Sequence, residues 1–146
     1  MTILEFQNEI ARIVGEIPRI GQASCFPVAE SDAGMVGKIE EQINTIGLSC
    51  LIMTPDIDTD TDSDMVRVER LIIGFTEIPL TNRTRQGAVT ALGAACIVRG
   101  VFRRELAETA VPLRITQRAS QDGGAITAEL TLRTSFELTT GDEAMA

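Results

Sequence analysis

The sequence predicts an α+β domain: a single, mostly antiparallel sheet with a long C-terminal β-hairpin, and helices packed on one face. Three observations carry that expectation. Apolar residues recur at helical spacing near the N-terminus. They alternate with polar residues through the last third. Between these lies a short apolar run bounded by Gly47 and Pro55.

Thr2 with Glu5 three residues on forms a capping-box pattern. Ile3, Phe6, Ile10, Ile13, Val14 and Ile17 then follow at helical spacing, until Pro18 and Gly21 end the helix. Ser31 or Asp32 can cap a second helix carrying Met35, Val36, Ile39, Ile43 and Ile46, and Gly47 stands where a left-handed C-terminal residue belongs. Residues 48–54 read as a buried strand, and 55–64 as an Asp-rich connector. Residues 65–78 form a long strand in which Val66 and Val68 alternate with Arg67 and Glu69. Gly74 marks a bulge or a close backbone approach within it.

A helix is expected over 85–105, capped by Asn82 or Thr84. Its small residues (Ala88, Ala91, Gly93, Ala94, Ala95) allow close packing, onto the sheet or onto a second subunit. In the last third, Val111, Leu113 and Ile115 fall on one face of a strand. Ile126, Ala128, Leu130, Leu132, Phe136 and Leu138 fall on one face of the next, and residues 121–124 supply the turn. Thr127, Glu129, Thr131, Arg133, Ser135 and Glu137 form the wet face. No repeat or linker divides residues 1–146, so a single domain is expected, with a mobile tail over 140–146.

Composition excludes several classes of function. A hydrophobic fraction of 44% over 146 residues suits a folded core rather than a disordered chain. Histidine is absent, which removes the commonest general base and any Ser-His or Cys-His nucleophile. Cys25, Cys50 and Cys96 are odd in number and lack CxxC spacing, so reduced, buried thiols are expected rather than disulfides or zinc ligands. A net charge of -8 without Trp or Tyr disfavours specific nucleic-acid binding, although Arg83, Arg85, Arg99, Arg103 and Arg104 fall in one region. No apolar run reaches spanning length and no signal peptide opens the chain, so no membrane partner is expected and assembly belongs in the cytoplasm.

Two segments stand out as candidate sites. Asp58, Asp60, Asp62 and Glu69 carry oxygen ligands at positions 1, 3, 5 and 12 of a calcium loop of EF-hand type, with Asp64 a further carboxylate of the candidate site. Ser63 replaces the turn glycine, and the flanks read as strands rather than helices, so a solvated acidic connector is the competing reading. Glu77, Asn82 and Arg83 link a strand end to a helix start. They suit a structural ion pair, or a subunit interface in which Arg83 grips a partner's carboxylate. Asn82-Arg83-Thr84 also fits the N-glycosylation pattern, here taken as accidental because no secretory signal accompanies it. Glu40-Glu41 and the Glu105/Glu108 pair lack an apolar setting that would raise a carboxyl pKa, and no phosphate-cradling loop is present, so no enzymatic activity is expected.

Glu77 and Pro79 at a strand end, then Asn82-Arg83, Gly87, and a helix opening with Thr90 and Ala91 resemble the tail-completion and tail-terminator proteins of bacteriophages and prophages. The overall layout of N-terminal helix, sheet, central helix and closing hairpin is similar too. The resemblance implies a virion structural protein, assembled in the host cytoplasm, that works as a homo-oligomeric and usually hexameric ring. Its partners would be the phage tail tube and neck proteins, with DNA passing through the lumen without specific binding. The competing expectation is a calcium-binding or calcium-stabilised module built on residues 58–69.

Overall fold

The computed structural model describes residues 3–18, 20, 26–27, 35–53, 56–59, 65–84, 87–105, 110–134 and 138–139. The expected caps Thr2, Ser31 and Asp32, the segment 60–64 and the tail 140–146 lie outside them. The fold is α+β. Its elements run α1 (Ile3–Gly15), β1 (Phe26–Pro27), α2 (Met35–Thr45), β2 (Leu48–Ile52), β3 (Asp56–Thr59), β4 (Met65–Glu77), α3 (Pro79–Asn82), α4 (Ala91–Glu105), β5 (Ala110–Ala119), β6 (Ile126–Thr134) and β7 (Leu138–Thr139).

The main path of the sheet is β1-β2-β4-β6-β5, antiparallel except for the short β1–β2 pair. β4 is its axis. β2 and β3 pair with it in turn, and β6 and β7 do the same. Leu71, Ile73 and Phe75 of β4 stand opposite Leu132, Leu130 and Ala128 of β6, and all six side chains are fully buried. Leu48, Cys50 and Ile52 of β2 extend this face. α1 covers it with Phe6, Ile10, Ile13 and Val14, and α4 covers it with Ala91, Ala94, Ala95, Val98 and Phe102. The alanines of α4 are buried in this core, so close packing of the helix is their use there, whereas Cys96 on the same helix, expected to be buried like Cys50, is exposed because it faces away from the sheet, and Cys25 lies outside the described residues.

Two buried glutamines satisfy backbone groups of β2 and the residue that follows it. Gln42 of α2 accepts a hydrogen bond from the Cys50 N–H (3.2 Å), and Gln7 of α1 donates to the Met53 carbonyl (3.3 Å). α2 ends as expected. Gly47 has φ 92°, and its N–H reaches the Ile43 carbonyl at 2.9 Å.

Four expectations need correction. Part of the Asp-rich connector is strand: β3 pairs with β4 from Asp56↔Arg70 to Thr59↔Val66, stabilised by a 2.6 Å ion pair between those first two side chains. The helix expected from residue 85 begins at Ala91. Gly87 has φ 73°, which a right-handed helix cannot contain, and Thr90 is the cap, its Oγ1 accepting from the Gly93 N–H at 3.0 Å. Thr84 instead donates to the Thr81 carbonyl.

The third correction concerns β5, whose register shifts between Pro112 and Arg114. Val111 therefore stands opposite Arg133, while Ile115 stands opposite Leu130. Cross-strand partners share a face, so Val111 and Ile115 lie on opposite faces. The fourth is the long last strand. It divides into β6 and β7, and Leu138 lies six positions beyond Leu132 where their partners Val66 and Leu71 are five positions apart. Gly74 is not at a bulge, because its pairing continues unbroken to Leu51 and Glu129. A Cβ there would stand 3.4 Å from Met53 Cε.

Candidate functional site

The core face of β4 runs Leu71, Ile73, Phe75 and then Glu77, so the alternation of the strand carries a carboxylate into the next inward position. Glu77 is 1% exposed. A buried carboxylate must find donors, and this one finds them just beyond the strand. Pro79 starts the single turn α3, which ends at Asn82. Asn82 is also 1% exposed, and its Nδ2 donates to Glu77 Oε2 (2.5 Å) and to the Val89 carbonyl (2.8 Å). Arg83 Nη2 reaches Glu77 Oε1 at 3.4 Å, with its side chain 57% exposed.

Glu77, Asn82 and Arg83, identified together from sequence, therefore do meet. The carboxylate ties the end of β4 to α3, and through Val89 to the approach of α4. The short bond to Asn82 is the strong one. The Arg83 contact is longer, and joins an exposed guanidinium to the buried carboxylate. The buried amide of Asn82 also rules out its use as a glycan acceptor. The turn that this network holds carries Leu80, which is 88% exposed and has the highest exposure of any large hydrophobic residue among those described.

The second candidate site is only partly described. Asp58 lies on β3, opposite Arg67, and Glu69 is exposed on β4; Asp60, Asp62 and Asp64 lie outside the described residues. Both flanks are thus strands, as expected. Among the described residues no group of three or more acidic or Cys side chains is arranged to hold a metal.

Sequence reasoning missed a groove of about 430 Å³ between the C-terminal end of α1 and the second half of α4. Ile13, Ile17, Ile97 and Val101 give it apolar walls, and Arg12, Glu16, Arg104 and Glu105 line it as well. The signal was available in the spacing of Ile97, Val101 and Glu105, which share one helical stripe apart from the buried Ala94, Ala95, Val98 and Phe102. Ser49 on β2 has a buried hydroxyl with no hydrogen-bond partner among the described residues, and nothing in them explains it.

Among the described residues no helix is long and apolar enough to cross a membrane. Comparisons with protein-family models, with curated proteins and with solved structures each give no match.

Proposed function

We propose that this chain is a non-enzymatic structural protein of the phage tail-terminator or tail-completion kind. It acts in a homo-oligomeric ring, hexameric as in the proteins it resembles, at the end of the tail tube or at the head–tail junction. One observation carries the reading. Four of the residues on which the resemblance rests, Glu77, Pro79, Asn82 and Arg83, form a turn locked by a buried carboxylate, and that turn holds an apolar side chain, Leu80, out in solvent.

The buried carboxylate and amide that fix this turn also hold one leucine in water, an exposure that does not stabilise an isolated chain. It favours binding, because a side chain already fixed in place loses little conformational freedom on association. The tail tube and neck proteins are the proposed partners. The net charge of -8 suits a lumen through which DNA passes without adhering. In this reading the Asp-rich hairpin is a solvated connector with no cofactor.

The test is the solution mass by light scattering during gel filtration, in calcium and in chelator. A discrete oligomer, of about six chains if the ring has the form of the proteins it resembles, with the same mass in both buffers, supports the reading. A monomer at high micromolar concentration in both buffers counts against it.

A further inference from the structure

We infer that the outward face of the β5–β6 hairpin, on the side of the sheet turned away from α1 and α4, is a weak, sequence-independent contact surface for the phosphate backbone of DNA. The inference goes beyond the assembly reading and needs no second subunit. Cross-strand partners share a face. Ile115 and Gln117 pair with the buried Leu130 and Ala128, so they belong to the core side. Arg114, Thr116 and Arg118 pair with Thr131, Glu129 and Thr127, and Val111 pairs with Arg133, so these residues form the other side. Arg114, Thr116, Arg118 and Arg133 are exposed, so no described element covers this part of the sheet.

The chain carries a net charge of -8, yet this face is positive. β4 adds Arg70, which precedes Leu71 as Arg133 follows Leu132, the pair that ends the β4–β6 ladder. Among the described residues the face holds Arg70, Arg114, Arg118 and Arg133 against two carboxylates, Asp56 and Glu129. Both carboxylates are already engaged, Asp56 by Arg70 at 2.6 Å and Glu129 by Arg118 at 3.1 Å. Arg114 and Arg133 have no ion-pair partner among the described residues. They flank Thr131. Arg114 stands opposite it across the ladder, and Arg133 follows two residues along β6 on the same face. Two unneutralised guanidiniums this close repel each other. An anion between them removes that cost, and the Thr131 hydroxyl supplies a further donor.

The side-chain chemistry selects the occupant. Arginine and threonine are among the groups that contact phosphate oxygens, and such contacts carry no sequence information. A protein partner needs an apolar centre. The large hydrophobics exposed among the described residues, Leu80, Leu92 and Ile97, lie on α3 and α4 and none lies on this face. The other arginine cluster, Arg99, Arg103 and Arg104 of α4, belongs to a mixed surface, where Arg104 shares its groove with Glu16, Glu105 and Ile97. The negative field of the whole chain opposes tight binding, so DNA is touched here without being held.

Fluorescence anisotropy of a labelled duplex DNA of mixed sequence tests the surface, with the full chain titrated at about 50 and about 200 mM salt. Binding is expected at the lower salt and should be largely lost at the higher. Arg114→Gln/Arg133→Gln, at two exposed positions, should weaken binding about tenfold and lower the salt slope by about two. Arg103→Gln/Arg104→Gln removes the same charge from α4 and should change the affinity by less than about twofold. Equal losses in the two variants would mean attraction by overall charge and would overturn the inference. A loss confined to the α4 variant, or no binding at the lower salt, would overturn it as well. Poly-glutamate serves as the competitor that stands for an acidic protein. If it displaces the DNA at equal concentration of charge, the face takes an acidic protein and the nucleic-acid assignment falls.

Discussion

Asn82 Nδ2 lies 2.5 Å from Glu77 Oε2, and both side chains are 1% exposed. Asn82→Ala therefore strands a buried carboxylate without its closest donor, at a cost of about 3 kcal/mol. At roughly 2–4 °C per kcal/mol for a chain of this size, the melting temperature should fall by about 10 °C. Arg83→Ala removes a longer contact, made from an exposed guanidinium, and should cost less than Asn82→Ala, about 1 kcal/mol. Replacing both buried groups, as Glu77→Met with Asn82→Leu, should recover much of the Asn82→Ala loss, because no unpaired charge remains. Thermal melts of the four chains check this, and equal losses for Asn82→Ala and Arg83→Ala would contradict it.

Two glycines should respond oppositely to alanine. Gly47 closes α2 at φ 92°, where a Cβ clashes with the following carbonyl, so Gly47→Ala should destabilise by about 1 kcal/mol. Gly74 sits in regular strand pairing, and an added Cβ meets only the flexible end of Met53 at 3.4 Å. Gly74→Ala should leave stability unchanged or raise it by about 0.5–1 kcal/mol, since the unfolded chain loses freedom. Urea unfolding of each variant separates the two outcomes.

The readable parts of the fold were those where one local rule decides. Phe6, Ile10, Ile13, Val14 and Ile17 were marked by helical spacing and are buried. Ala128, Leu130 and Leu132 were marked by alternation and are buried too. What failed depended on partners. β3 exists because β4 offers it an edge, and its Asp56 and Asp58 look like connector residues until Arg70 and Arg67 stand opposite. The shift at Pro112/Arg114 inverts the facing of Val111, which no alternation count shows. The α4 start was misread because Asn82 seemed free to cap, whereas Glu77 and Val89 occupy its amide. Glu77 was readable in outline: Leu71, Ile73 and Phe75 predict that the next inward residue is buried, and a carboxylate there demands donors nearby.

The turn between β5 and β6 carries a pH-sensitive carboxylate. Asp122 Oδ1 accepts from the Ser120 hydroxyl (2.5 Å) and the Gly124 N–H (2.9 Å). These bonds, the hydroxyl first, hold its pKa below the usual 3.8. A depressed carboxyl stabilises the turn above its unfolded pKa, and that contribution is lost as pH falls through the lower native value. NMR titration should place the Asp122 midpoint below 3.8, and Ser120→Ala should move it up towards that value. A midpoint unmoved by Ser120→Ala would show that the hydroxyl is not the donor.

Calcium provides the remaining test, because the spacing of Asp58, Asp60, Asp62, Asp64 and Glu69 fits a cation loop while the strands around it do not. In an EF-hand the loop joins two helices and a bidentate Glu closes the coordination sphere. Here Glu69 belongs to β4, four residues after its start at Met65, and the pleat of the strand fixes its direction. Asp56, at the other flank, is engaged by Arg70 at 2.6 Å. A solvated acidic hairpin predicts that millimolar calcium leaves the melting temperature unchanged, in the full chain and in Asp60→Ala/Asp62→Ala alike. A ligand that binds only the folded state raises that temperature by mass action. A rise of several degrees in the full chain, absent from the double variant, would make residues 58–69 a calcium site and replace the solvated-connector reading. A rise that persists in the double variant would locate the ion elsewhere.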